Sequence, residues 1–267
     1  MDITLTQGIL LAVIAIIAGF DFWLEGLFIF RPMIVCTLSG FALGDVTMGV
    51  IAGGLTELAF AGLTPAGGTQ PPNPILAGVM TVVLAHTTGA SPAAAIGLAL
   101  PFSFLMQYIV LFYYSAFSVF MGKADQYAAE ANLKAFARIT VLPMIIVALT
   151  YGVVVFLSAY VAQDPMRNLV SSMPTWLTHG FEIAGGILPA VGFGLLLRVM
   201  LKAKFFPYLL IGFLAASFIP FGNLLPVAVI GLAAALYQFH NDKEKAKLEK
   251  LISENKANLE GGYEDGI

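Results

Sequence analysis

The sequence predicts an all-α fold, a polytopic transmembrane helical bundle that contains broken or re-entrant hairpins. Hydrophobic residues make up 59% of the 267 residues and charged residues only 11%, whereas soluble domains carry about 25% charged residues. The apolar runs are long and continuous, whereas a transmembrane β-barrel shows alternating polarity in segments of about ten residues. The net charge of −3 argues against a nucleic-acid partner. The lipid bilayer is therefore the expected surrounding of most of the chain.

The first apolar segment, Leu5–Gly19, is somewhat shorter than the roughly 20 residues that a full crossing needs. Asp21 and Glu25 follow it, four residues apart, and this spacing places them on one face of a helix. Trp23 lies between them, and tryptophan is enriched at membrane interfaces. We therefore expect an interfacial helix here, before Pro32 begins the next apolar segment.

The stretch from Gly53 to Gly78 gives the strongest functional signal, because it places the carboxylate of Glu57 in a region whose composition is otherwise that of a membrane-spanning segment. No other Asp, Glu, Lys or Arg occurs between Val46 and Gly122. A carboxylate at bilayer depth costs roughly 2.5–3.5 kcal/mol, so it normally faces a cavity or a partner. The glycines and prolines that follow forbid an unbroken helix. Broken backbone beside a buried acid is typical of a transporter's substrate site.

The middle of the chain provides three further predicted crossings around one polar segment. We expect crossings over Ile75–His86 and Ala93–Met121, the second kinked at Pro101. Met121–Arg138 is polar and is expected to lie outside the bilayer. Ile139–Gln163 is uncharged and long enough to span the membrane.

The last part of the chain is predicted to contain one loop, a second irregular stretch and two apolar helices. Asp164–Ser172 is short and polar and is expected to be a loop. The stretch from Trp176 to Gly194 contains several glycines and a proline, and it is predicted to be irregular. The two apolar runs that follow are Phe205–Phe218 and Leu224–Phe239.

The distribution of lysine and arginine predicts the domains and the orientation. Residues 1–240 are expected to form a transmembrane domain, and residues 241–267 a charged tail that is helical until Gly261. The tail contains five lysines, and cytoplasmic segments of membrane proteins carry an excess of lysine and arginine. We therefore expect a multi-pass protein with a cytoplasmic C-terminus, in which the segment around residues 164–172 is external.

Two stretches of the sequence match each other. The first begins at Glu57 and reaches Pro65, and the second begins at Glu182 and reaches Pro189. Interrupted hydrophobic segments at corresponding positions of two halves are typical of inverted-repeat transporters. Coincidence is the alternative interpretation, because glycine and alanine are abundant throughout the chain.

Polar residues near Glu57 are candidates for ligand binding. Gln70 and Asn73 offer amide donors and acceptors that suit a polyhydroxylated ligand, and Thr64 lies in the same stretch. The structural alternative for the amides is helix capping by asparagine and turn formation with the neighbouring prolines. For Glu57 the alternatives are binding of ligand hydroxyl groups or a buried, protonated acid that the backbone satisfies.

A second polar pair occurs at His179 and Glu182, which stand three residues apart and share a helix face if the segment is helical. A hydrogen-bonded structural pair and a contribution to the ligand site are both open. Cys36 is the only cysteine, and the chain has three histidines, so we expect no metal. No P-loop or nucleophile elbow is present, so we expect no cofactor, and energy for transport would come from a gradient or from other subunits.

Two motifs carry a resemblance to a known family. Arg31–Asp45 reads RPMIVCTLSGFALGD, and Met48–Gly62 reads MGVIAGGLTELAFAG. These motifs resemble the membrane IIC subunit of the mannose-family sugar phosphotransferase system, and the resemblance extends over residues 1–240, including HGFEIAGG. The stretch ELAFAGLTPAGGTQPPNPI is most similar to the galactosamine and N-acetylgalactosamine branch.

The resemblance implies a set of partners and a mechanism. Such a IIC subunit works with a membrane IID subunit in a bacterial inner membrane, and the pairs assemble into a higher oligomer. Cytoplasmic IIA and IIB subunits relay phosphate from phosphoenolpyruvate, and IIB phosphorylates the amino hexose during uptake. No phosphorylated residue and no catalytic residue is therefore expected on this chain.

The resemblance also implies roles for the candidate residues. Glu57 matches the glutamate of the family's G-G-x-x-E signature and is expected to hold sugar hydroxyls, with assistance to proton transfer as an additional role. The mannose branch carries an acidic residue at position 73, so Asn73 is expected to help select a different hexose. With Gln70, Thr64, His179 and Glu182, these residues form the expected substrate site.

Two other classes of function stay open at this point. An ion-coupled secondary sugar transporter would use Glu57 and Glu182 as proton sites and would release unmodified sugar. A passive receptor or scaffold would tolerate replacement of Glu57 by glutamine.

Overall fold

The computed structural model describes residues 2–61, 71–220 and 225–261. The described part of the chain is helical and contains no β-strand, as the sequence predicts. The chain forms two compact units, Met1–Val199 and Met200–Ile267.

Helix α1 extends over Leu5–Leu24, further than the apolar run that predicts it. A capping box between Thr4 and Gln7 begins the helix. The buried carboxylate of Asp21 accepts hydrogen bonds from the backbone N–H groups of Leu27 (2.7 Å) and Ile29 (2.5 Å). The predicted interfacial helix is therefore wrong. Asp21 lies in the last turn of α1, which ends at Leu24, and it shapes the turn after the helix because its carboxylate accepts from two backbone N–H groups there.

Helices α2 (Pro32–Leu43) and α3 (Val46–Phe60) form a tight hairpin. Gly44 ends α2 in the left-handed region at φ 83°, and the side chain of Asp45 caps α3. At 1.5 Å per residue the two helices measure about 18 and 22 Å, which is less than the roughly 30 Å of a bilayer core. Neither helix is therefore long enough to cross a bilayer by itself.

The backbones of α2 and α3 touch where two glycines face each other. A Cβ on Gly40 would lie 2.6 Å from the Cα of Gly49, and a Cβ on Gly49 would lie 2.7 Å from the carbonyl oxygen of Cys36. Small residues let membrane helices approach closely. The position of α3, and hence of Glu57, therefore depends on these two glycines.

Helix α4 (Pro74–Thr88) is the core of the first unit. All but three of its fifteen residues are buried, and it packs against α2, α3 and α5 (Pro92–Phe117). The sequence predicts a crossing here, but the helix is too short to span a bilayer by itself. Its apolar character on every side reflects burial within protein.

Helix α5 continues through Pro101 and leads by a short 3₁₀ turn into α6 (Met121–Ala129), which lies in the segment predicted to be polar. Helix α7 (Leu133–Phe156) continues through Pro143 and ends in a π-helical turn at Leu157–Val161. It packs along α1, where a Cβ on Gly152 would lie 2.6 Å from the side chain of Ile16.

The segment predicted to be a loop is helix α8 (Gln163–Ser172), so that prediction is wrong. Its proline lies in the first turn, where a missing N–H leaves no helical hydrogen bond unmade. Met166 buries its side chain, and Arg167 donates a 2.5 Å hydrogen bond to Asp2. Helix α8 was missed because it is shorter and more polar than the segments from which a membrane helix is predicted.

The second stretch predicted to be irregular is a continuous helix, α9 (Thr175–Met200), which includes Pro189. This prediction is also wrong. In lipid the chain satisfies its backbone best by remaining helical, so glycine and proline are tolerated in membrane helices. Gly185 instead allows close contact with the backbone of Ala93 in α5. Where the structure describes them, the two matching stretches therefore differ: α3 ends at Phe60, whereas α9 continues.

The second unit contains α10 (Phe206–Phe218) and α11 (Leu225–Gly261), which pack as a pair. Helix α11 continues without a break from the apolar run into the charged tail, and the structure describes it as far as Gly261. Asp242 accepts hydrogen bonds from Lys204 (2.8 Å) and Gln238 (2.9 Å), and these bonds lower the pKa of its carboxyl group.

Four helical segments of the described chain are long and apolar enough to cross a membrane. They are Leu5–Leu24, Pro92–Ala129, Leu133–Val161 and Thr175–Arg198.

Candidate functional site

Glu57 lies in the last turn of α3 and pairs with Arg31, which precedes α2. One carboxylate oxygen, Oε1, accepts hydrogen bonds from Arg31 Nε (2.7 Å) and from Arg31 Nη2. The other, Oε2, accepts a 3.2 Å hydrogen bond from the backbone N–H of Met33. The Glu57 side chain is 22% exposed, so it is accessible from one direction. Arginine, and not the backbone alone, is the partner of this acid.

Arg31 was not predicted from the sequence as a site residue. The signal that could have found it is the arginine directly before Pro32, because proline begins α2 and fixes the preceding residue beside the hairpin. The guanidinium presents a rigid fork of donors that matches a carboxylate. With both Arg31 donors on Oε1 and the Met33 N–H on Oε2, the carboxylate is oriented and Oε2 keeps one acceptor site for a ligand.

Asn73 caps α4 and is completely buried. Its Oδ1 accepts a 3.1 Å hydrogen bond from the N–H of Leu76, and its Nδ2 donates a 2.5 Å hydrogen bond to the hydroxyl of Tyr151. Its backbone N–H donates to the carbonyl of Ser103 (3.2 Å), and its carbonyl accepts from the Ser103 hydroxyl (2.7 Å). With the backbone N–H of Ala77, which donates to the Asn73 carbonyl (3.1 Å), five hydrogen bonds fix this residue, and capping is the role that the geometry shows.

Tyr151 connects Asn73 to helix α1. Its ring is fully buried and lies against Phe22 of α1, with ring centroids 6.2 Å apart. A Cβ on Gly19 would lie 2.7 Å from the ring, so α1 is shaped around it. Ser103 and Tyr151 were not found from the sequence, since a serine or tyrosine in an apolar run carries no signal of its distant partner.

Thr64 and Gln70 lie outside the described residues. In the sequence they stand between Glu57 and Asn73, so the two fixed residues bracket the segment that contains them.

His179 and Glu182 form a second polar group on α9. His179 Nδ1 lies 3.5 Å from Glu182 Oε2, and Glu182 Oε1 accepts a 3.4 Å hydrogen bond from the hydroxyl of Ser91. Ser91 also caps α5. Both long contacts leave the carboxylate free to accept further hydrogen bonds.

The structure does not bring Glu57 and Glu182 together. A Cβ on Gly192 would lie 2.6 Å from the carbonyl oxygen of Leu58, which is the residue after Glu57. Gly192 stands ten residues beyond Glu182 on the same helix, a separation of about 15 Å along the axis. Glu57 therefore lies at the end of α3, whereas Glu182 and His179 lie near the start of α9.

No group of three or more possible metal ligands occurs among the residues that the structure describes. Cys36 is buried, and its thiol donates a 3.3 Å hydrogen bond to the carbonyl of Gly78. It serves as a small core residue.

At the end of α3, the Glu57 carboxylate can bind a ligand by hydrogen bonds, without covalent change. An oriented carboxylate accepts hydrogen bonds from hydroxyl groups, and charge-assisted bonds of this kind are about twice as strong as neutral ones. The neighbouring guanidinium neutralises the charge, so a neutral polyol can bind at little electrostatic cost.

Comparison with known proteins gives a consistent result. A family model described as EII-Sor, the sorbose-specific IIC component of the PTS system, matches residues 5–237. The chain is 59% identical over its whole length to N-acetylgalactosamine permease IIC component 1 of Escherichia coli (strain K12), of which 99% is covered.

Two solved structures share the fold. One, described as a membrane protein, has a TM-score of 0.80 and 29% identity, and the match covers 90% of this chain and 97% of that one. The other is the mannose transporter ManYZ in complex with microcin E492, with a TM-score of 0.57, 30% identity and the same coverage. Sequence and structure therefore point to one group of membrane proteins.

Proposed function

Because the chain belongs to the EII-Sor family of IIC components of the sugar phosphotransferase system, we propose that it carries an amino hexose across the membrane. The proposed substrate is N-acetylgalactosamine or galactosamine, which the IIB subunit phosphorylates during uptake. The observation that carries this choice is the 59% identity, over the whole chain, to an N-acetylgalactosamine permease IIC component. Identity to the mannose transporter is only 30%.

In this proposal Glu57 is the principal acceptor for sugar hydroxyls, and Arg31 holds its carboxylate in place. Gln70 and Thr64 complete the same site from the segment between Glu57 and Asn73. Asn73 contributes chiefly as the anchor that ends this segment, because direct contact with sugar would require its hydrogen bonds to Leu76 or Tyr151 to open.

The proposed partners are a IID membrane subunit and the cytoplasmic IIA and IIB subunits. The structural similarity to the ManYZ transporter supports assembly with a second membrane component, and larger assemblies of such pairs are part of the proposal. Phosphate passes along the soluble subunits, so this chain binds and moves sugar without itself being phosphorylated.

We further propose that the protein is a multi-pass component of a bacterial inner membrane with its C-terminus in the cytoplasm. The support is the lysine-rich continuation of α11 beyond its apolar part. With α7 leading outward from the polar segment around α6, helix α8 lies on the external side.

Competition for uptake tests the substrate. Cells that lack their own amino-sugar uptake are supplied with this chain and its IID, IIA and IIB partners, and entry of radiolabelled N-acetylgalactosamine is measured. Unlabelled N-acetylgalactosamine or galactosamine should compete, and mannose at the same concentration should not. Stronger competition by mannose, or absence of uptake with all four subunits present, would overturn the substrate assignment.

A further inference from the structure

A polar cleft of about 540 Å³ opens where the end of α4, the start of α5, the end of α8 and the start of α9 meet. Seven of its eleven lining residues carry a hydroxyl, imidazole or carboxylate group. Its volume lies in the range of small-molecule sites, about 300–1,000 Å³. Glu182 lines the cleft and stands about 15 Å along α9 from Gly192, which contacts the end of α3. The cleft is therefore separate from the Glu57 site.

The hydroxyl groups of this cleft are arranged as acceptors. Thr88, Ser171 and Thr178 each donate their single hydrogen to a carbonyl of their own helix, at 2.6, 3.0 and 3.0 Å. A hydroxyl that donates in this way keeps lone pairs for incoming donors. The cleft thus presents several oxygen acceptors from three helices to a ligand that is rich in O–H groups.

Glu182 adds the only carboxylate among the lining residues. Its side chain is 52% exposed, and its contacts with His179 and Ser91 measure 3.5 and 3.4 Å. These contacts orient the carboxylate but leave most of its acceptor capacity unused. A negative charge at this position favours neutral or cationic ligands and disfavours phosphorylated ones.

We propose that this cleft is a second sugar site, which binds the unphosphorylated hexose before it reaches Glu57. The identity of the ligand rests on the proposed function, whereas the site rests on the acceptor geometry. The cleft includes the end of α8, which the proposed orientation places on the external side of the membrane. Sugar phosphate, the product released inside, is repelled by Glu182.

Site-directed labelling provides a test, because the chain's single cysteine, Cys36, is buried. Ser171 and Ser172 are adjacent and exposed, and each hydroxyl donates to the carbonyl three residues earlier. Ser171 lines the cleft and Ser172 does not. Ser171→Cys and Ser172→Cys therefore form a matched pair in the detergent-solubilised complex of this chain with its IID partner.

The labelling rate by a maleimide is measured with and without N-acetylgalactosamine. At ten times its dissociation constant the sugar should slow labelling of Ser171→Cys about tenfold, since about a tenth of the sites stay open. Labelling of Ser172→Cys should not change, and the 6-phosphate of the sugar should protect neither position. Protection at Ser171→Cys should persist with Glu57→Gln and weaken with Glu182→Gln.

Equal protection of both cysteines, absence of protection, or loss of protection with Glu57→Gln would each overturn the second site. Thr178→Cys on α9 repeats the test from the opposite wall if Ser171→Cys does not yield folded protein. The proposed function is judged separately, by formation of sugar phosphate in the complex without added cysteines. If the sugar protects Ser171→Cys but no sugar phosphate forms, the second site stands and the transport assignment fails. If sugar phosphate forms but the sugar gives no protection, the transport assignment stands and the second site fails.

Discussion

The carboxylate of Glu57 and the guanidinium of Arg31 form a two-point ion pair that joins the end of α3 to the start of α2. The residues are 26 positions apart in the sequence, and they meet because α2 and α3 form a hairpin whose open end carries both of them. Both side chains remain partly exposed, 40% for Arg31 and 22% for Glu57. The pair is therefore held firmly and yet is reachable by a ligand.

Neutralising the two members of this pair should have non-additive effects. Arg31→Gln and Glu57→Gln should each lower sugar-phosphate formation, and the double variant should lose less than the sum of the two. Residues in one ion-pair network show interaction free energies of about 0.5–3 kcal/mol. The measurement is kcat/KM for sugar in membrane vesicles, normalised to the amount of protein. Strictly additive losses would show that the ion pair does not orient Glu57.

Removal of the Tyr151 hydroxyl should disturb Asn73, which ends the segment that contains Thr64 and Gln70. Tyr151→Phe leaves the buried Asn73 amide without its acceptor, which costs about 1–3 kcal/mol. We expect a lower melting temperature of the solubilised protein and a raised KM for sugar. Tyr113→Phe is the matched control, because it removes a 2.8 Å hydrogen bond to Thr150, the neighbour of Tyr151, at a partly buried position. Equal effects of the two variants on KM would contradict the anchoring role.

The contact between α2 and α3 should not tolerate a methyl group. Gly40→Ala or Gly49→Ala places a Cβ within 2.7 Å of backbone atoms of the facing helix, and overpacking costs about 1–3 kcal/mol. Gly54→Ala is the control on the same helix, since a Cβ there meets nothing within 4 Å. Thermal unfolding in detergent should separate the first two variants from the third. A Gly40→Ala protein as stable as the wild type would disprove the close approach.

The turn after α1 should depend on Asp21. Asp21→Ala removes the acceptor of two backbone hydrogen bonds at a buried site, and unsatisfied N–H groups cost about 1–3 kcal/mol each. Glu25→Ala, an exposed acid in the same turn, should have a smaller effect. The melting temperature of the solubilised protein measures both changes. If the two variants unfold at the same temperature, Asp21 does not shape the turn.

Composition and local signals predicted much of this fold. The apolar runs predicted the class, and the Asp45 and Asn73 side chains cap helices where a break was expected. Patterns failed where a segment depends on its surroundings. Asp164–Ser172 reads as a polar loop, but burial of Met166 and the ion pair of Arg167 with Asp2 stabilise a helix.

The candidate site was predicted only in part. Glu57 was found because a lone carboxylate in an apolar run is unusual. Arg31, Ser103 and Tyr151 were missed, because their roles arise from contacts between distant helices that no local pattern encodes. The same limit applies to Glu182, which shares its sequence pattern with Glu57 but lies in a different cleft.

Phosphoenolpyruvate dependence of sugar modification tests the central claim most directly. Membrane vesicles that contain this chain and its IID partner are supplied with IIA, IIB, the soluble relay proteins and radiolabelled N-acetylgalactosamine, with and without phosphoenolpyruvate. Labelled sugar phosphate should form only when phosphoenolpyruvate is present, and Glu57→Gln should lower its rate of formation at an unchanged amount of protein. Accumulation of unmodified sugar in response to a proton gradient would contradict the assignment and would make Glu57 and Glu182 proton-coupling groups.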